Sequence, residues 1–203
     1  GARPDGQPAR IARIDADSTR GKGQLEASLA EVHAGAVDVL VGTQMIAKGH
    51  DFRRVTLVAA VNPDAALFSS DFRAPERLFA LLMQAAGRAG RDAASGAAAE
   101  MWVQTHHPQH PLFSALKSHD YPSFAAQQLA ERAQAGLPPY THLALLRAEA
   151  RSQEGAQAFL AAVAQAARDT LAASEPALAQ VSWYPPVPLA VQRVANVERA
   201  QML

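Results

Sequence analysis

Apolar residues alternate along the chain between two rhythms. Short continuous runs occur at IARID (11–15), VDVLVG (37–42), VTLVAAV (55–61) and AEMWVQT (99–105), and these read as strands. Between them, Leu25, Leu29 and Val32, then Leu78, Leu81, Leu82 and Ala85, recur at helical spacing and define one apolar stripe each. Ser18 or Thr19 stands where the first helix wants an N-cap, and Gly35 and Gly87 stand where the two helices should stop. Glycine reaches positive φ without a Cβ clash, so Gly87 is expected to turn the chain out of its helix. Uninterrupted Val/Leu runs separated by helices predict parallel strands covered on both faces, hence an α/β fold with a wound, mostly parallel sheet and flanking helices.

The rhythm then changes. Residues 111–136 read as a helical hairpin, and the Leu137-Pro138-Pro139 break marks a domain boundary. Beyond it, THLALLRAEA (141–150) reads as a strand and 153–173, with Phe159, Leu160, Val163, Ala167 and Leu171, as a long helix. VSWYPPVPLAVQRV (181–194) reads as strand, proline turn and strand. The expected division is therefore 1–137, an α/β lobe with a helical extension, and 138–203, a small α+β domain. Residues 1–10 carry no periodicity and read as a flexible lead-in. The sequence stops at Gln201-Met202-Leu203 inside a strand-like pattern, so a piece of a longer chain is expected.

Composition narrows the classes. The 203 residues are 49% hydrophobic but only 6% aromatic, so alanine supplies much of the core and helices should pack closely. No apolar run is long enough to cross a bilayer and no signal peptide is present, which argues for a soluble protein without a membrane partner. The absence of cysteine excludes disulfides and thiolate metal sites in this chain and fits a reducing cytoplasm. Lys+Arg and Asp+Glu both number 19, so any phosphate-binding function must come from local placement.

Two stretches concentrate such placement. GTQMIAKGHDF (42–52) leaves the end of the second strand, and QAAGRAGR (84–91) ends the second helix. In wound sheets, ligands collect at loops leaving the carboxyl ends of strands. Taken alone, Arg88 and Arg91 also suit a plain helix end, where cations meet the negative end of the dipole.

The order of these elements resembles the second RecA-like lobe of superfamily 2 helicases. Thr43, Gly49 and Asp51 fall in register with motif V of that family, and Gln84, Gly87, Arg88, Gly90 and Arg91 with motif VI. DAALFSSDFRAPERLF (64–79), VQTHHPQHPL (103–112) and the LPPY junction make the chain, from about Ile11 to Leu203, similar to the replication-restart helicases of the primosomal protein N′ family. The resemblance implies a bacterial, cytoplasmic ATP-dependent DNA helicase acting at stalled or branched forks. It also implies a first lobe with the phosphate-cradling loop and most contacts to ATP and magnesium. A cysteine-rich zinc insert, single-strand-binding protein and other primosome proteins as partners belong to the same picture. Neither the phosphate loop nor the zinc insert occurs in these 203 residues, so the chain alone is expected to lack ATPase activity.

Residue roles follow from the same resemblance. Arg91 is the expected arginine finger, Arg88 its partner, and Gln84 the link to phosphate or attacking water. Gly49, Asp51 and Gly87 are expected at the nucleotide, and Thr43, Gln44 and Lys48 at single-stranded or branched DNA. The chemistry agrees: phosphoryl transfer spreads charge over oxygens, and a guanidinium is always charged and meets phosphate in a planar fork. Two alternatives remain, another superfamily 2 translocase and a non-enzymatic DNA or protein interaction module. Among lesser features, His106, His107 and His110 read as a strand-exit turn in preference to a metal site. Trp183 and Tyr184 read as core of the small domain in preference to base-stacking groups, and Asp71, Arg73, Glu76 and Arg77 as a helix-start ion-pair set.

Overall fold

The computed structural model describes residues 3, 5–15, 23–43, 55–87, 100–172 and 181–203. The chain forms two compact units, Gly1–Ala130 and Glu131–Leu203, of α/β and antiparallel α+β construction.

In the first unit, β1 (Ile11–Ile14) runs parallel to β2 (Val39–Gly42), with Ile11 opposite Val39 and Ile14 opposite Gly42. Parallel neighbours need a crossover, which here contains α1 (Gln24–His33). Leu25, Leu29 and Val32 of α1 close over Ile14, Leu40 and Val55, as their spacing predicts. The helix starts after Gly23 at φ 86, and among the described residues no side chain caps it. Ser18 and Thr19 lie outside the described residues.

The amino ends of this strand pair are clamped. Arg10 donates from its backbone N, Nε and Nη2 to the Asp38 carboxylate at 2.8, 3.1 and 3.0 Å. Its Nη2 also donates to Gly35 O at 2.8 Å. Arg10 holds the Asp38 carboxyl far below the usual carboxylate range, with Arg3 adding a smaller pull. The lead-in is therefore tied down at Arg3 and Arg10, contrary to the flexible reading. Aperiodic sequence hides such a pair because its partner is distant along the chain.

A second parallel pair follows, β3 (Leu57–Val61) and β4 (Glu100–Gln104), with Leu57 opposite Glu100 and Val61 opposite Gln104. Between them lie the short α2 (Asp64–Leu67) and the amphipathic α3 (Ala74–Ala86). Then come α4 (Pro111–Ser118) and α5 (Tyr121–Gln134), separated by His119 at φ 53 and by Asp120, which accepts from Ser123 N at 3.1 Å. Leu78, Phe79 and Leu82 of α3 meet Leu112, Phe113, Leu116 and Phe124 in one core, with Ala60, Met101 and Val103 of the strands beneath. The inward stripe of α3 thus includes Phe79, while Leu81 and Ala85 are half-buried.

Among the described residues the strands are covered on one face, where the Val/Leu runs predict cover on both. Ile11, Val39 and Val41 on one pair, and Leu57, Val61 and Trp102 on the other, are each at least 44% exposed. Burial alternates in β3 and β4, so one face carries the helices and the other is open. A continuous apolar run looks the same in sequence whether one face is covered or two. Period alone does not separate them.

The second unit is an antiparallel sheet of order β5-β7-β6, formed by β5 (Leu146–Ala150), β6 (Val187–Val194) and β7 (Val197–Met202), with α6 (Gln153–Ala172) on one face. Ala156, Leu160 and Ala164 of α6 pack on Ala148, Ala200 and Met202, and the small side chains let helix and sheet approach closely, as the alanine content predicts. Phe159 is 61% exposed and lies off this stripe. Trp183 joins the core beneath the Arg168 guanidinium, 5.5 Å from its ring centroid, whereas Tyr184 is 57% exposed. Residues 141–145 and 181–186 are irregular where strands were expected. The hairpin between β6 and β7 turns on Ala195 and Asn196, both left-handed at φ 48 and 66. Its register shifts between Pro188 and Arg193, where a proline cannot donate to the ladder.

Candidate functional site

Thr43 directly follows β2 at its carboxyl end and is exposed. Gln44, Lys48, Gly49 and Asp51 lie outside the described residues. At α3, Gln84 sits in the last turn and Gly87 is the C-cap, both exposed. Arg88 and Arg91 lie outside the described residues.

Gly87 departs from the expected left-handed exit. Its φ is −66 and ψ −4, right-handed, and its N–H donates to Met83 O at 3.0 Å, continuing the helical ladder. A Cβ there would meet Met83 O at 3.5 Å and Gln84 O at 3.7 Å, ordinary contacts. The backbone therefore does not require glycine. What the missing side chain leaves is room, at an exposed helix end directly before Arg88.

At the carboxyl ends of β3 and β4 the structure assembles a set that sequence reasoning missed. Asp64 is 9% exposed, and its carboxylate accepts from Thr105 Oγ1 at 2.5 Å and from His106 N at 2.9 Å. The hydroxyl and N–H hold this carboxyl below the usual carboxylate range. Thr105 Oγ1 also accepts from His107 N at 2.9 Å, so one carboxylate fixes the whole exit of β4. The signal was the Asn62-Pro63-Asp64 string after a strand, a turn starter that places an acceptor one step beyond the strand end. His110 Nδ1 accepts from Leu112 N at 3.2 Å and caps α4, so the three histidines do occupy a strand-exit turn. Nearby in sequence, Asp71 pairs with Arg77 at 2.7 Å and accepts from Arg73 N at 2.9 Å, which brings together part of the expected helix-start set.

Parallel strand pairs with helices between them define an α/β lobe. In agreement, residues 6–93 match the family model described as the helicase conserved C-terminal domain, and residues 133–203 match the primosomal protein N C-terminal domain. Replication restart protein PriA of Haemophilus influenzae is 51% identical over 154 residues, 76% of this chain and 21% of that protein. Its counterparts in Synechocystis and Treponema pallidum are 37% and 41% identical over 194 residues, 96% of this chain and 22% and 28% of theirs. The chain belongs to the PriA family of replication restart proteins. It spans between about a fifth and somewhat over a quarter of the length of these relatives. Among the described residues, no helix is long and apolar enough to cross a membrane.

Proposed function

We propose that this chain supplies the second motor lobe and the following domain of an ATP-dependent DNA helicase, which recognises stalled or branched forks and promotes primosome assembly in the bacterial cytoplasm. The observation that carries the reading is the order within residues 6–93. There Thr43 follows β2, β3 comes next, and the last turn of α3 carries Gln84, with Gly87 as its C-cap just before Arg88 and Arg91 in sequence. Arg91 stabilises charge that develops on phosphoryl oxygens, Arg88 assists, and Gln84 orients a phosphate or water. The donor set suits a triphosphate, and the missing side chain at Gly87 leaves room for close approach. Asp51 and Gly49 are assigned to the same nucleotide, and Thr43, Gln44 and Lys48 to the DNA backbone.

Magnesium-bound ATP gives a phosphoryl group whose transfer drives the motor. Its cradle belongs to a first lobe of the parent protein, so this chain alone does not hydrolyse ATP. Zinc is assigned to a cysteine-rich insert of the parent, as the family resemblance implies; this chain has no cysteine to hold it. Single-strand-binding protein and other primosome proteins are the proposed partners.

The test is DNA-stimulated ATP hydrolysis by the full-length parent. Arg91→Ala lowers kcat by about a hundredfold or more with little change in nucleotide binding, and Arg91→Lys does not rescue. A near-normal kcat in Arg91→Ala overturns the finger assignment.

A further inference from the structure

Phe68, the residue after α2, keeps 57% of its surface in water. A single exposed ring is common on protein surfaces. This one is unusual in being held. The imidazoles of His107 and His110 stand steeply inclined to it in T-shaped pairs, with centroids 4.7 and 6.1 Å away and planes at 70° and 87°. Both imidazoles sit on the turn that leaves β4, and Asp64 locks that turn through Thr105 and His106. Asp64 itself begins α2, four residues before Phe68, so one buried carboxylate ties both sides of the arrangement together. An open hollow of about 290 Å³ lies at the same turn, lined by His106, His107, Pro108, Gln109 and His110.

The ring is thus a largely water-exposed aromatic group beside a hollow edged with N–H donors, at the carboxyl ends of two parallel strands, where ligands of wound sheets collect. Metal binding does not explain it, because the described residues contain no group of three His, Asp or Glu placed to hold an ion. Nor does an acidic ligand set, since the Asp64 carboxylate is already occupied by Thr105 and His106.

We propose that Phe68, with His107 and Gln109, seats one nucleotide of single-stranded DNA. The base stacks on the Phe68 ring, and the imidazole and amide N–H groups donate to the base edge or its phosphate. Aromatic stacking is tolerant of sequence because every base has a π face, which suits a strand that must move past. Holding the ring in place beforehand spares the cost of ordering it on binding. The proposal rests on the DNA-translocating reading above, and it adds a contact outside the loop at 42–54.

The test uses the 203-residue chain and a fluorescein-labelled oligo-dT, read by anisotropy, together with photo-crosslinking of an oligomer carrying 5-iododeoxyuridine. Phe68→Ala is expected to weaken oligo-dT binding about tenfold at an unchanged thermal midpoint. Phe68→Trp restores it, Phe68→Leu does not, and the crosslink maps to Phe68 or His107. Unchanged affinity in Phe68→Ala overturns the seat, as does full binding by Phe68→Leu, which would indicate bulk in place of a π face. If Phe68→Ala binds normally while Thr43→Ala with Lys48→Ala does not, the DNA-binding reading stands and the seat falls. If the unaltered chain does not bind oligo-dT at all, both fall.

Discussion

Phe79 of α3 and Phe124 of α5 stack face to face, ring centroids 4.4 Å apart and planes within 11° of parallel. Tyr121 leans on the same Phe79 ring at 5.8 Å. Both phenylalanines are 3% exposed, so the contact is a dry seam that fixes the helix whose last turn carries Gln84. Phe124→Ala should cost about 3–5 kcal/mol, the range for emptying a buried aromatic site, and Phe124→Leu clearly less. Urea unfolding followed by circular dichroism measures both, and a loss under about 1 kcal/mol for the alanine variant refutes the packing argument.

The Arg10–Asp38 clamp makes a pH-dependent prediction. Asp38's folded-state pKa is depressed, so its contribution to stability is fully present above the unfolded value of about 3.9. It is lost as pH falls below that value towards the folded one. Asp38→Asn should therefore lower the thermal midpoint near neutral pH and flatten its decline between about pH 4 and 2. Parallel declines for the two proteins would show that the pair contributes nothing there.

Gly87 separates fold from chemistry. Its backbone is right-handed with room for a Cβ, so Gly87→Ala should leave stability unchanged or raise it by up to about 1 kcal/mol. If a phosphate must approach that backbone, the same change lowers ATP turnover in the full-length parent. A variant that is as stable and as active as the parent removes Gly87 from the nucleotide site.

The β6–β7 hairpin carries a strained residue. Ala195 sits at φ 48, a region that costs an L-residue with a Cβ about 1–2 kcal/mol, while Asn196 tolerates its φ of 66 better. Replacing Ala195-Asn196 by Asn-Gly suits both positions of this two-residue turn and should stabilise the second unit by about 1 kcal/mol. Calorimetry of the two proteins decides, and an unchanged or lower midpoint counts against the turn assignment.

The elements most legible in the sequence are those with strong local periodicity. The stripes of α1 and α3, the four strands of the first unit and the helical hairpin all follow from spacing, because burial of one face imposes it. The open strand faces did not follow, since Val39, Val41 and Leu57 would be apolar under either arrangement. Arg10 and Asp38 are 28 residues apart, and Asp64 and Thr105 are 41 apart, so no local pattern announces either pair. Gly87 was misread for another reason: its composition suggests a left-handed exit, but the ladder to Met83 keeps it helical. Of the candidate site, Thr43, Gln84 and Gly87 stand at element ends, while Gln44, Lys48, Gly49, Asp51, Arg88 and Arg91 lie outside the described residues.

The chain has two tryptophans, and each unit holds one. Trp102 stands 61% exposed on the open face of β4, its Nε1 donating to Glu100 at 2.9 Å. Trp183 is half-buried under a guanidinium in the other unit. Their emission should differ in wavelength and lifetime, the first resembling indole in water and the second blue-shifted. Each is a native optical label for its own unit, needing no dye. Whether the two units melt as one or in sequence can thus be read from a single sample, by resolving two decay components across one temperature ramp.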